Sequence, residues 1–274
     1  MSANTQSHQQ EFRRISLAGL DKVAKIFPHI TNWKPEDIEA HKDKLRWLEN
    51  HFYDYGCTIN GEPGHTILAP MRESGVFERI KCPVGWKHEV KERESRAGFP
   101  RRFMGLLLNH LDDSEAKQQA IEYVMSYEEH KKEGRGLLIA GGTGSGKTQL
   151  AVSTARAIIN KYLEWVKFTT VYDFLEAAKN FKAREERNNP YDSIINAELV
   201  VVDDLGADRL TDFAINELIA LIDYRYREMK PIILTTNLSK HDLSEYLNPR
   251  VTSRLSEMCV KVILTGPDRR QGGE

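Results

Sequence analysis

Apolar and polar positions follow different periods along this chain, and each change of period marks a new part. Between Phe12 and Ile26 apolar residues recur loosely at helical spacing (Phe12, Ile15, Leu17, Leu20, Val23, Ile26) until Pro28 interrupts them. From Pro35 to Tyr55 the pattern is firmer. Ile38, Leu45, Leu48 and Phe52 share one face, Pro35 suits a first helical position, and acids follow it in the first turn, so a helix is expected. His41 falls on the same stripe and is expected to pack there. From Gly56 to Trp86 the composition turns to Gly, Pro and isolated polar residues, with short strand-like pieces at His65–Leu68 and Val76–Ile80. Lys87 to Arg102 is charged and mostly basic, which reads as a solvated face. Ala97-Gly98-Phe99-Pro100 then breaks the run and places a linker.

Beyond the linker, strands and helices alternate. Ser114 to Lys132 has helical spacing, and the apolar run Gly136-Leu137-Leu138-Ile139-Ala140 follows as a strand. Gln149 to Ile159 returns to helical spacing, Val166–Val171 to strand, and Asp173–Arg184 to a helix with Phe174, Leu175, Ala178 and Phe181 inward. Leu199-Val200-Val201-Val202 is a continuous apolar, mostly β-branched run, the mark of a strand buried on both faces of a parallel sheet. Thr211 is placed to cap a helix that runs through Ile215, Leu218, Ile219 and Ile222 to Tyr226. Pro231–Thr236 and Val260–Leu264 are further strands, with a helix around Arg250 and Arg254 between them. The predicted fold is α/β: a parallel sheet flanked by helices over residues 97–270, a tail at 271–274, and a smaller α+β or helical N-terminal domain over residues 1–96.

Gly141-Gly142-Thr143-Gly144-Ser145-Gly146-Lys147-Thr148 sits between the first of these strands and its helix. The G-x-x-x-x-G-K-[ST] pattern carries meaning in that setting. Glycines let backbone N–H groups converge on a polyphosphate, and the helix presents the positive end of its dipole. Lys147 would reach the β- and γ-phosphates, and the Thr148 hydroxyl would ligate Mg²⁺. The buried run ends in Asp203-Asp204, and parallel sheets bind ligands at the C-terminal ends of their strands. Asp203 is assigned to Mg²⁺ and Asp204 to polarising the attacking water. Asn237, at the end of the next buried strand, is placed to orient that water.

Composition narrows the field further. The chain has 274 residues, 40% hydrophobic and 29% charged, with net charge −1, so contact with nucleic acid would need a local patch. The far end of the helix that begins at Asp173 is basic, with Lys179, Lys182, Arg184 and Arg187. Three cysteines without regular spacing give no disulfide framework and fit a reducing, cytoplasmic setting. No apolar run approaches the ~18–20 residues of a membrane span, and the N-terminus lacks a signal-peptide core. Cys57, His65, Cys82 and His88 could form a zinc knuckle, but their spacing departs from the tight pairs of structural sites, so zinc is not expected.

From Ala97 to Arg270 the chain resembles the AAA+ ATPases of the DnaC/DnaI helicase-loader and IstB group. The stretches that carry the resemblance are AGFPRRF, GGTGSGKTQLA, LVVVDDLG, YRYREMKPIILTTNLS, SRL and a closing G-x-D-x-R at Gly266, Asp268 and Arg270. It implies an ASCE-type P-loop sheet, Asn237 as sensor 1, Arg254 as an arginine finger acting in trans with Arg250 as support, and Arg270 as sensor 2. It further implies slow ATPase activity that depends on assembly, self-association with ATP, single-stranded DNA near Lys179 and Lys182, and a hexameric replicative helicase held by residues 1–96. Asp204 stands where many relatives carry Glu. The competing functions are an IstB-like regulator of DNA transposition and a nucleotide-gated scaffold with little hydrolysis. A monomeric small-molecule kinase has no use for Asn237 and Arg254, and Asn237-Leu238-Ser239-Lys240 lacks the N-K-x-D pattern that reads guanine.

Overall fold

A computed structural model describes residues 19–52, 66–184, 190–206 and 210–266. The chain forms two compact units, Met1–Lys91 and Glu92–Glu274.

In the first unit, helices α1 (Asp21–Ile26), α2 (Pro35–Ala40) and α3 (Lys42–His51) precede an antiparallel hairpin, β1 (Thr66–Pro70) and β2 (Phe77–Lys81). The two strands are the strand-like pieces the sequence pattern predicts. The stripe of Ile38, Leu45, Leu48 and Phe52 is fully buried, together with Trp33, Ile67 and Ala69. The helix expected from Pro35 onward is interrupted at His41, whose ring meets Phe77 edge-on at 5.3 Å. The Trp33 indole N–H donates to the Met71 carbonyl at 2.8 Å and ties the helical part to the hairpin. Phe12, Ile15 and Leu17 lie outside the described residues, as do Cys57 and His65. Cys82 is buried, its Sγ 3.4 Å from His51 Nε2, whereas His88 is exposed.

Pro83–Ala97 forms a helix, α4, which the sequence pattern leaves as loop and charged face. Its apolar residues are too sparse to form a stripe. Charged pairs one turn apart, such as Arg96 with Glu92 at 2.6 Å, support it instead. The division between the two units falls inside this helix.

The second unit is built on five parallel strands: β3 (Gly136–Gly141), β4 (Val166–Thr170), β5 (Leu199–Leu205), β6 (Ile232–Thr236) and β7 (Cys259–Leu264). Their spatial order is β4-β5-β6-β3-β7. The chain therefore runs outward from β3 to the edge at β4, returns through β5, and inserts β6 between β5 and β3. Val200, Val201, Val202, Ile232 and Ile233 are completely buried, as expected of strands covered on both faces. Helices α5 (Glu115–Met125) and α6 (Tyr127–Lys132) replace the single helix expected there. Ser126 divides them, its hydroxyl donating to the Glu122 carbonyl at 2.8 Å. The remaining helices are α7 (Lys147–Tyr162), α8 (Val171–Arg184), α9 (Pro190–Asn196), α10 (Asp212–Arg227), α11 (Lys240–Tyr246) and α12 (Pro249–Met258). Thr211 caps α10 as expected, accepting the Ala214 N–H at 3.3 Å. This is the AAA+ arrangement of a parallel sheet flanked by helices.

One buried cation fastens the sheet at its N-terminal edge. Arg225 on α10 has no exposed surface, and its guanidinium donates to the carbonyls of Ile195, Ala197, Glu198 and Pro231. These groups flank the starts of β5 and β6. Burial lowers the Arg225 pKa to about 10.

Candidate functional site

The loop that leaves β3 turns through Gly144 (φ 72°) and Gly146 (φ 99°), left-handed conformations that a side chain would strain. Gly146 then caps α7 at its N-terminus, so the first N–H groups of that helix open toward the loop. At Gly141 an added Cβ would lie 2.5 Å from the Leu264 carbonyl and 2.9 Å from Ser145 Oγ, so the close approach of β7 also requires glycine. Lys147 is almost wholly buried, and its ammonium donates to the carbonyls of Gly141 at 3.0 Å and Gly142 at 2.8 Å. The lysine is thereby folded back over the loop.

β5 brings the carboxylates. A register irregularity between Val202 and Leu205 turns Asp203 inward and Asp204 outward, with Asp204 at φ 62°. Asp203 is 3% exposed, and its oxygens accept the Thr148 hydroxyl at 3.1 and 2.9 Å. The Thr235 hydroxyl, from β6, donates to the same carboxylate at 2.6 Å, and Thr235 Oγ1 accepts the backbone N–H of Asp204 at 3.0 Å. Burial holds the Asp203 carboxyl above its ordinary range. The Thr235 hydrogen bond opposes that rise, and the neighbouring Asp204 charge adds to it. A buried carboxylate sharing a hydroxyl is a hard oxygen donor set. It fits Mg²⁺, whose charge would reverse the burial effect.

These groups meet on one open cavity of about 680 Å³, lined by Thr143, Gly144, Gly146, Lys147, Thr148, Gln149, Asp204 and Asn237, with Arg102 and Phe103 at its wall. The lining is mostly polar and the volume suits a nucleoside triphosphate. Asn237 reaches it because Thr236 pairs with Ala140 on one side and Leu205 on the other, so the residue after β6 emerges between the glycine loop and the aspartates.

Three contributors had no signal in the sequence pattern. Thr235 reads as an ordinary strand residue, and Arg102 and Phe103 fall in the AGFPRRF stretch, which carries the family resemblance but no assigned role. Only the paired residues of neighbouring strands reveal Thr235. Arg254 does not line the cavity. It lies on α12 against Asp223 and above the Tyr226 ring, whose centroid is 5.3 Å away, while Arg250 is exposed. Arg270 lies outside the described residues. Lys179 is exposed and paired with Glu176 at 2.7 Å. No helix among the described residues is long and apolar enough to cross a membrane.

The chain is similar to known proteins over this same region. It is 29% identical over 220 residues to the phage-like element PBSX protein XkdC of Bacillus subtilis (strain 168), covering 75% of this chain and 80% of that one. Among solved structures, the DnaC helicase loader matches with a TM-score of 0.55 and 29% identity over 61% of this chain and all of that one. DnaI matches with a TM-score of 0.52 at 23% identity, over 63% of this chain and 95% of that one, a likeness of fold. The model of the family described as IstB-like ATP binding protein matches residues 108–259, which span the glycine loop, the paired aspartates, Asn237 and Arg254. With more than half of its length inside that match, the chain belongs to the family of IstB-like ATP binding proteins.

Proposed function

We propose that this chain is an ATP-dependent loader of a hexameric replicative helicase. In this reading residues 1–96 hold the helicase, and residues 97–270 assemble with ATP on single-stranded DNA. The observation that carries it is the division of labour inside one chain: the cavity gathers Lys147, Thr148, Asp204 and Asn237, while Arg254 stands away from it.

The loop N–H groups and the start of α7 receive the phosphates, and Lys147 exchanges its carbonyl partners for β- and γ-phosphate oxygens. Thr148 and Asp203 would hold Mg²⁺, which would supply neutralisation of the phosphate charge. Asp204 accepts a proton from the attacking water, and Asn237 orients that water against the γ-phosphate. Arg254 of an adjoining copy completes the charge stabilisation, so turnover follows assembly. The similarity to the DnaC helicase loader, over 61% of this chain and all of that solved chain, supports the loader reading.

The family description favours a second reading, an IstB-like ATPase that regulates DNA transposition. Pull-down of a hexameric replicative helicase by the full chain with ATP separates the two, beside binding to single-stranded and duplex DNA. Helicase capture with single-strand preference is expected. No capture together with tight ATP-dependent duplex binding would replace the loader with the transposition regulator.

A further inference from the structure

Arg254 is held by a small polar cluster between α10 and α12. Asp223 and Tyr226 stand three residues apart on α10, and Arg254 and Glu257 three apart on the facing α12, so each pair lies along one side of its helix. Arg254 Nη1 forms an ion pair with Asp223 Oδ1, and both atoms are closed off from solvent. The guanidinium lies over the Tyr226 ring, and the Tyr226 hydroxyl sits 3.0 Å from each Glu257 oxygen. Tyr226 is thus fixed at its hydroxyl end while its face supports the arginine.

The cluster engages only part of the guanidinium. Arginine carries five N–H donors in a planar fork. Among the described residues Nη1 is held by the ion pair with Asp223, and the side chain keeps 18% of its surface exposed. One nitrogen is gripped, and the fork's remaining donors give it capacity for an outside acceptor. A purely structural arginine in this protein looks different: Arg225 has no exposed surface and donates to four carbonyls.

We propose that Asp223 is a positioning residue for Arg254: it fixes one edge of the guanidinium so that the other is presented, already ordered, to the nucleotide phosphate of an adjoining copy. Holding the side chain beforehand removes the rotamer entropy that an unsupported arginine loses on reaching its phosphate. The carboxylate acts through Arg254 and touches no substrate. The inference rests on the reading of Arg254 as a group that acts in trans.

The test uses Asp223→Asn in the full chain, with steady-state ATPase under assembling conditions, nucleotide binding, self-association and thermal unfolding measured side by side. Expected are unchanged ATP affinity, KM, assembly and melting temperature, with kcat lowered roughly ten- to a hundredfold, the scale of misplacing a catalytic group by about 1 Å. Asp223→Glu, which retains the carboxylate, should keep more turnover than Asp223→Asn. Mixing Asp223→Asn subunits with Asp204→Asn subunits should restore turnover, because the latter present a well-held Arg254 to intact sites. The double variant Asp223→Asn/Arg254→Ala should be no slower than Arg254→Ala alone. Wild-type kcat in Asp223→Asn beside an inactive Arg254→Ala would overturn the positioning role and leave the action in trans standing. Loss of kcat with a lowered melting temperature and no restoration on mixing would make Asp223 a structural tie and overturn the proposal. Normal turnover in Arg254→Ala would remove the action in trans itself.

Discussion

The Thr235 hydroxyl bridges the two aspartates of β5: it donates to the Asp203 carboxylate at 2.6 Å and accepts the Asp204 backbone N–H at 3.0 Å. A single β-branched residue of β6 therefore orients the Asp203 carboxylate and holds the backbone of Asp204. Thr235→Val keeps the shape and removes both bonds. The expected outcome is a folded protein whose apparent Mg²⁺ requirement in ATPase assays rises about tenfold or more, as for other loss of support behind a metal ligand. An unchanged Mg²⁺ titration would remove Thr235 from the site.

Asp204 sits at φ 62°, where Asn is tolerated nearly as well as Asp and a β-branched residue is not. Asp204→Asn should keep fold and ATP binding while losing hydrolysis. Asp204→Val should in addition unfold more easily, by about 1–2 kcal/mol. Equal stability of the two variants would mean that β5 relaxes out of this conformation without cost.

Lys147→Ala should lose ATP binding or hydrolysis, read by equilibrium nucleotide binding and phosphate release. Near-normal turnover would disprove the assignment of the glycine loop as the phosphate site.

Arg225 gives a prediction about stability alone. Arg225→Leu leaves the carbonyls of Ile195, Ala197, Glu198 and Pro231 without their donor in a buried place. About 3–5 kcal/mol of unfolding free energy should be lost in urea titrations, the scale for breaking a buried charged cluster. A loss below about 1 kcal/mol would show that water reaches those carbonyls.

The raised Asp203 carboxyl, with burial as its main cause, gives a pH dependence with a definite sign. The folded state keeps this proton to higher pH than the unfolded chain does. Stability contributed here therefore falls as pH rises from the ordinary carboxylate range through the raised value. With metal chelated, Asp203→Asn should melt above the wild type near about pH 7, and the difference should shrink as the solution is acidified toward about pH 4. A difference that grows on acidification would contradict the burial argument.

The sequence pattern conveyed the sheet well because its central strands are buried on both faces. Runs such as Leu199–Val202 and Ile232–Leu234 have one reading only. The glycine loop was legible for a similar reason, since its conformation and its chemistry demand the same residues. Less was visible where the signal lies between strands or helices. Nothing local marks Thr235 as the partner of Asp203, or Asp223 as the partner of Arg254, because each pair is joined only by packing. α4 escaped notice because its charged residues support a helix without an apolar stripe. The breaks at His41 and Ser126 escaped because apolar spacing continues across them.

The insertion of β6 between β5 and β3 bears on how the molecule is made. A nascent chain that has emerged as far as Gly206 already carries the glycine loop and both aspartates, yet the strands that bear them have nothing between them. In the folded sheet they are joined through residues 232–236, which are synthesised later. Translation order and spatial order differ at this one strand. A chain interrupted before Ile232 therefore contains both phosphate-handling sequences without the strand that sets them side by side.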